Sequence, residues 1–482
     1  MFDLRPAVYV IGLLVAALGG AMGVPMLIDL YDGNGHGSVF ALSAVLTMVC
    51  GASLALATAN SATSGLTIQQ TFFLTTGVWV ILPIFGALPF ILGATGARPV
   101  DAYFEAMSGF TTTGATAFSG LENLPRGLNL WRAMSQWFGG IGIVVVAMAF
   151  LPVMRVGGMQ FFRSEAFDTF GKVLPRAAEI ASRISVIYII LTFVCFVSYR
   201  LVGMDTYRAA FHALTTMSTG GFSDSDASFA AFKGLPEYVC TFFMLCSALP
   251  YVRYVQLIDG SARPLFDDSQ IRAFFGTLLA VVAAMVVYRI WQSSIGGERA
   301  FREAAFNIVS IMTGTGYAST DYQLWGPFPV VVFFLIGLVG GCAGSTSCSV
   351  KIFRYQILFS TLAAQIRRIH SPNGVFTPRF MGRTVADDVI SSVMAFFMLF
   401  FLSLAVLAVA LGMTGLDPIT AISGAATVLA NVGPGLGPEI GPSGNFEDIN
   451  DTAKWLLIAG MLVGRLELMA VFVLFTANFW RG

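Results

Sequence analysis

Ten stretches of about twenty mostly apolar residues follow one another through the chain. They fall at about 8–30, 38–59, 71–95, 131–153, 184–203, 235–257, 271–293, 328–350, 389–412 and 454–478. Each is long enough to cross the roughly 30 Å hydrocarbon core of a bilayer as a helix. Only 11% of the 482 residues are charged, against about 25% in a soluble domain, and the 43 Phe outnumber Lys and Arg together at 27. One soluble core stops growing near about 250–300 residues, so a chain this apolar needs lipid around it. Composition excludes intrinsic disorder, a disulfide scaffold and a simple nucleic-acid binder. The expected class is an all-α polytopic membrane protein, its first apolar run a span rather than a cleaved signal.

Four shorter apolar segments, near 101–114, 205–221, 303–316 and 417–433, lie between the long ones and end in Gly/Thr-rich sequence. They superpose without gaps as Phe104-EAMSGFTTT-Gly114, Phe211-HALTTMSTG-Gly221, Phe306-NIVSIMTGT-Gly316 and Ser423-GAATVLANV-Gly433. An acid precedes each final glycine, Asp101 and Glu303 by thirteen residues, Asp205 and Asp417 by sixteen. Self-similarity of this kind defines a repeat architecture. It reads as two leading spans followed by four copies of span, short re-entrant helix, Gly-rich turn, span: ten membrane helices and four half-helices. The boundaries are 1–70 for the leading pair, then 71–157, 180–260, 268–355 and 385–482 for the repeats.

An acid near the start of each short helix suits the positive end of the helix dipole. The Gly-rich ends then lie within the membrane, where non-helical backbone is tolerated only if buried or lining a watery cavity. Four such ends around one axis make a ring of carbonyl oxygens able to replace the water around a monovalent cation. Glycine reaches the backbone angles this requires, and Thr112, Thr113, Thr219 and Thr315 add hydroxyl oxygens.

Placing the N-terminus inside puts sixteen Lys/Arg and nine acids on the inner side, for a net +7, and ten and seventeen outside, for −7. Arg465 and Glu467 fall within a span. This bias follows the positive-inside rule, with both termini cytoplasmic, and the acidic outer face concentrates cations. The six cysteines form no CxxC and the three histidines are scattered, so neither a disulfide nor a metal framework is expected. Trp131, Trp137, Trp325 and Trp455 lie near expected outer interfaces, as belt residues do, and His212 reads as a core histidine.

FEAMSGFTTTGAT (104–116), FHALTTMSTGGFS (211–223), FNIVSIMTGTGYAS (306–319), LANVGPGLG (429–437), QWFGGIGI (136–143), GGCAGSTS (340–347) and GRLELM (464–469) together resemble the TrkH/TrkG potassium-uptake subunits of the Trk/Ktr/HKT superfamily. The likeness runs from about residue 70 to the end, and the two leading spans fit the TrkH branch. It implies channel-like K⁺ permeation through one four-repeat pore per subunit of a homodimer in the bacterial inner membrane. It also implies a cytoplasmic ring of nucleotide-binding TrkA-like regulators. The implied ion-binding filter is Thr112, Thr113, Gly114, Thr219, Gly220, Gly221, Gly314, Thr315, Gly316, Asn431, Val432 and Gly433. Glycine at all four final positions is similar to the potassium-selective members.

Gly340, Gly341, Ala343, Gly344, Ser345 and Thr346 belong to a stretch with low helix propensity inside an expected span. Close packing of small residues is one reading; the resemblance implies a gating loop that obstructs the pore. The family commonly continues TSGG where this chain has Thr346-Ser347-Cys348-Ser349. Arg465 lies near the bilayer centre, where a bare Arg costs at least about 2.5–3.5 kcal/mol. Glu467 is on another face of the helix, so the guanidinium needs either a partner from elsewhere or a watery cavity. The resemblance implies a pore-facing charge beneath the filter.

No nucleotide-binding signature is present, so no organic cofactor is expected in this chain, and potassium is the only bound species implied. The basic segment 351–383 would dock either a regulator or anionic lipid head groups. No nucleophile–base pair or metal set marks an enzyme. The alternative is a secondary K⁺ symporter coupled to H⁺ or Na⁺, which would more often show inverted repeats.

Overall fold

The protein is described by a computed structural model at residues 3–61, 66–149, 154, 157–162, 173–293 and 295–481. The expected inner basic residues Arg155, Arg163 and Lys172, and the end of the 131–153 run, lie outside the described residues. Among the described residues seven helices are long and apolar enough to cross a membrane: Arg5–Asp32, Gly37–Ser61, Ile68–Leu92, Arg126–Met148, Ala181–Leu201, Ser269–Gln292 and Asp387–Met413. Two further candidates are bent, Leu235–Ser247 with Tyr251–Ile258 by 89° and Asp451–Arg465 with Met469–Phe475 by 106°, which brings the total to nine.

The expected straight spans at 235–257 and 454–478 are therefore corrected. Pro250 supplies the first break, lacking the N–H that would continue the helix. The second falls at Glu467 and Leu468, whose φ values of 63° and 51° are left-handed. The remaining expected span, 328–350, is broken at the stretch expected to interrupt it. Its helix Pro327–Gly337 is eleven residues long, the chain is then non-helical, and a new helix runs from Ile352 to His370.

The leading pair packs through glycines. A Cβ on Gly12 would lie 2.7 Å from the Ala55 nitrogen, and one on Gly51 2.3 Å from the Ala16 nitrogen, so the backbones touch as small residues allow within membranes. The Asp32 end of this pair is tied to the first repeat by Asp29. Its buried carboxylate accepts from the Gly127 N–H at 2.8 Å and meets His36 Nδ1 at 3.0 Å.

The four short helices are Pro99–Phe110, Thr206–Met217, Gly297–Thr313 and Pro418–Ala430. Asp205 and Asp417 are N-caps, their carboxylates accepting backbone N–H groups of the first turn, while Asp101 lies inside the first turn of its helix. Glu303 departs from the expectation. The third helix begins at Gly297, so Glu303 lies two turns in, buried between Arg289 and Arg299 at 2.5 and 2.7 Å. Trp131 and Trp325 are also buried inside the protein rather than at an interface. The Trp131 indole donates to the Gly86 carbonyl at 2.9 Å.

Candidate ion-conduction site

Each short helix ends in the same turn. The residue two before the final glycine is left-handed in all four copies: Thr112 (φ 52°), Thr219 (50°), Gly314 (76°) and Asn431 (50°). The glycines themselves are left-handed as well: Gly114 (83°), Gly221 (74°), Gly316 (80°) and Gly433 (107°). The residue between them returns its N–H to the carbonyl five positions back. The bonds are Thr113 to Ser108 (2.9 Å), Gly220 to Thr215 (2.9 Å), Thr315 to Ser310 (2.8 Å) and Val432 to Thr427 (3.0 Å). This is a left-handed helix C-cap, repeated with three different residue types at its first position.

The four turns close on one another in chain order. A Cβ on Gly114 would lie 2.2 Å from the Gly220 carbonyl oxygen, one on Gly221 1.8 Å from that of Thr315, one on Gly316 1.9 Å from that of Val432, and one on Gly433 2.7 Å from that of Thr113. Each glycine of one repeat thus abuts the carbonyl preceding the glycine of the next, and the fourth returns to the first. No side chain fits at these places. The residues read from the sequence as filter come together in one constriction, and the widest of the four approaches involves Gly433. Asn431 ties the fourth repeat to the first, donating from Nδ2 to Thr113 Oγ1 at 2.9 Å. Next to the ring lies a cavity of about 250 Å³, lined by all four glycines and by Ser223, Ser225 and other polar groups of the loops that follow the glycines.

Sequence reasoning missed what holds the emerging strands. In the first three repeats the residue nine before the glycine bonds to the residue three after it. The Glu105 carboxylate accepts from the Ala117 N–H at 2.8 Å, His212 Nε2 meets Asp224 Oδ1 at 3.2 Å, and Asn307 Oδ1 accepts from the Ser319 N–H at 3.1 Å. In the fourth repeat that position is Gly424, and its neighbour Ser423 takes over, its hydroxyl accepting from the Leu436 N–H at 2.9 Å. One geometric task is met by four chemistries, so no residue identity repeats. The legible signal was a polar residue following the aligned Phe in three copies.

Glu105 is further held by Arg132 Nε at 2.7 Å, and Arg132 Nη1 donates to the Ser223 carbonyl at 2.8 Å. Arg132, which sequence reasoning did not single out, is 1% exposed. The pair ties the segment after the first glycine to the one after the second. His212 is buried as expected and also meets the Tyr317 hydroxyl at 3.1 Å.

Beneath the ring lies the expected loop, running from Leu338 to Lys351. It supplies donors to half-helix carbonyls, the last of which have no partner within their own helix. Thr346 Oγ1 donates to the Met217 carbonyl (3.2 Å), the Cys348 N–H to that of Thr313 (3.3 Å), and the Ser349 N–H to that of Ala430 (2.8 Å). Thr219 donates to the Thr346 carbonyl at 3.0 Å. Three repeats are thus joined to one loop by hydrogen bonds that include backbone groups, and Thr112 Oγ1 meets Cys348 Sγ at 3.5 Å to add the first. Gly341 and Ala343 are fixed by Ser347 Oγ and Gln270 Oε1, both at 2.9 Å, and Ser345 Oγ donates to the Cys342 carbonyl at 2.6 Å. Gly340 bonds to the Val350 carbonyl at 2.8 Å, and the Gly344 carbonyl accepts from the Tyr251 N–H at 2.9 Å.

Arg465 reaches this loop, Nη1 donating to Cys348 Sγ at 2.9 Å. Glu467 pairs instead with Arg354, which also donates to the Gly157 carbonyl at 2.9 Å. A carboxylate partner for Arg465 is absent among the described residues.

Backbone oxygens gathered among apolar helices suit a cation stripped of water, and the class the fold defines is a multi-pass membrane transport protein. The chain belongs to the TrkH family, described as cation transport proteins, whose family model matches residues 36–481. It is 42% identical over 481 residues to the Trk system potassium uptake protein TrkI of Halomonas elongata, covering 99% of this chain and 97% of that protein. It is 34% identical to the Trk system potassium uptake protein TrkH of Escherichia coli K12 over 99% of both chains. The crystal structure of the potassium transporter TrkH from Vibrio parahaemolyticus superposes with a TM-score of 0.92, at 32% identity and full coverage of both chains. This is a family of transport subunits rather than enzymes, and the chain is a multi-pass membrane protein.

Proposed function

We propose that this chain is a potassium-uptake subunit through which K⁺ passes in a channel-like manner. In this reading the ion sheds water in the ring formed by Thr112, Thr113 and Gly114, Thr219 to Gly221, Gly314 to Gly316, and Asn431 to Gly433. The observation that carries the reading is the head-to-tail closure of the four glycines on each other's preceding carbonyls. Ten membrane crossings and four half-helices follow if the broken third-repeat segment counts as a crossing. The similarity to potassium uptake proteins and to a potassium transporter supports the choice of ion.

In the same reading, loop 338–351 and Arg465 obstruct the pathway from below. A fixed positive charge there disfavours both a cation and the hydrated open state. Uptake is driven by the membrane potential, worth about 2.3 kcal/mol per charge per 100 mV. The chain needs no organic cofactor; nucleotide dependence resides in a cytoplasmic TrkA-like ring, with the basic face of Ile352–His370 and the hairpin Arg379–Thr384 as its dock or as a contact for anionic lipid. A homodimer in the bacterial inner membrane with both termini inside completes the proposal.

The symporter reading is less favoured because all four repeats point the same way, whereas coupled carriers more often use inverted pairs. Purified protein in liposomes, given a voltage but no gradient of H⁺ or Na⁺, tests the choice. K⁺ flux is the expected result, and flux that requires a coupling gradient would overturn it.

A further inference from the structure

A buried guanidinium needs acceptors for its five N–H donors, and Arg465 is 4% exposed. Two acceptors reach it: Cys348 Sγ at 2.9 Å from Nη1, and the Gly139 carbonyl at 3.4 Å from Nη2. Nε has no partner. The face of the Trp79 ring lies 5.7 Å away and adds attraction without accepting a directed bond. The thiol is therefore the one close acceptor for this charge among the described residues.

Cys348 is also the point where the loop meets the ring. Its sulfur meets Thr112 Oγ1 at 3.5 Å in the first repeat, and its N–H donates to the Thr313 carbonyl at 3.3 Å in the third. A Cβ on Gly314 would lie 2.6 Å from the Cys348 Cβ. The next residue, Ser349, is left-handed at φ 61°, and its hydroxyl is fastened to the Gly337 carbonyl at 2.7 Å.

We infer that Cys348 is a positioning residue that latches loop 338–351 in its obstructing place by giving Arg465 its acceptor. This rests on the reading that loop and charge obstruct the pathway. Sulfur is a weak acceptor, so the latch is soft. A carboxylate at this position would lock the loop with a buried ion pair, and a side chain with no acceptor would leave the guanidinium nearly unsatisfied. Opening the loop means parting Cys348 from Arg465 and returning the charge to water.

The test uses the full chain in liposomes under an imposed voltage, with basal K⁺ flux as the readout and Arg465→Ala as the reference for an unobstructed pathway. Cys348→Ala is expected to raise basal flux about tenfold, as loss of one hydrogen bond to a charged group does to an equilibrium. Cys348→Ser, which keeps an acceptor in place, stays within about twofold of the parent. In the Arg465→Ala background, Cys348→Ala adds nothing, the non-additivity of two partners in one contact. If Cys348→Ala is not recovered folded, Cys348→Gly takes its place with the same expected rise.

A rise in flux with Arg465→Ala but none with Cys348→Ala overturns the latch and leaves the obstruction standing. Equal rises for Cys348→Ala with and without Arg465 also overturn it, since the cysteine would then act through packing. No rise with Arg465→Ala refutes the obstruction itself, and the latch with it.

Discussion

Replacing Gly114 by Ser tests the ring directly, and the structure supplies its control. At Gly114 two costs combine. The φ of +83° is left-handed, which costs a residue with a Cβ about 1–2 kcal/mol. The new Cβ would also stand 2.2 Å from the Gly220 oxygen, and real Cβ contacts do not come under 3.0 Å, so oxygen and side chain must separate by roughly 1 Å. Gly415 shares the first cost without the second, with φ +95° and open space where its Cβ would project. Misplacing one oxygen should weaken the bound cation by about the worth of a hydrogen bond to a charge, about 1.5–3 kcal/mol. Where that oxygen favours K⁺ over Na⁺, the loss is roughly 10- to 100-fold in selectivity. The assay compares K⁺ and Na⁺ uptake into liposomes at matched voltage, alongside thermal unfolding in detergent. Gly415→Ala should lose stability and keep its K⁺:Na⁺ ratio; Gly114→Ser should lose the ratio. A folded Gly114→Ser protein with an unchanged ratio would refute the assignment, as would a Gly415→Ala protein that loses selectivity.

Other perturbations address the parts around the ring. Shortening 340–347 should raise basal K⁺ flux at constant K⁺:Na⁺ ratio, and a changed ratio in the same flux assay would place the segment within the filter instead. Arg132→Ala leaves the Glu105 carboxylate buried without its cation, a change that costs about 3–5 kcal/mol. Its melting temperature should fall sharply, and one within a degree of the parent would show the pair to be idle. At the outer surface, the Ser225 hydroxyl donating at 2.6 Å holds the Glu122 carboxyl below its ordinary value of 4.5. A folded-state pKa below the unfolded one contributes stability above the unfolded value and loses it as pH falls through the folded one. The stability gap between the parent and Glu122→Gln, well under 1 kcal/mol at so exposed a site, should therefore close below about pH 4.5. A gap independent of pH would exclude the carboxylate as its source.

The repeat was legible because glycine has no substitute at a left-handed position facing another backbone, so the four glycines stand in one register in the sequence. The turn before them was less legible. Thr112, Thr219, Gly314 and Asn431 do the same backbone work with different side chains, and only geometry shows that they are equivalent. Likewise Glu105, His212, Asn307 and Ser423 fasten the strands beyond the glycines by unlike chemistry. The bends at Pro250 and at Glu467–Leu468 were hidden by hydropathy, which scores a broken helix and a straight one alike. Glu303 was misplaced, and Arg132 not singled out, because a count of charges carries no record of the partner that buries each one.

The bonds beneath the ring bear on how finely the loop can be balanced. Of the bonds named above, five of 3.3 Å or less join the loop to the half-helix turns and to Arg465: Thr346 with Met217, Thr219 with Thr346, Cys348 with Thr313, Ser349 with Ala430, and Arg465 with Cys348. If water takes each partner on opening, each bond counts for only its net worth, about 0.5–1.5 kcal/mol, or about 2.5–7.5 kcal/mol together. Driving a two-state element from 1:99 to 99:1 takes about 5.5 kcal/mol of differential binding. On the proposed reading that the loop obstructs the pathway, these five bonds together are worth about as much as one such regulatory interaction on the helix Ile352–His370 that continues from the loop. A dry, apolar plug in the same place would expose unhydrated surface on moving and would not be so nearly balanced. The polar, small-residue composition of 340–349 thus fits a segment that exchanges protein partners for water.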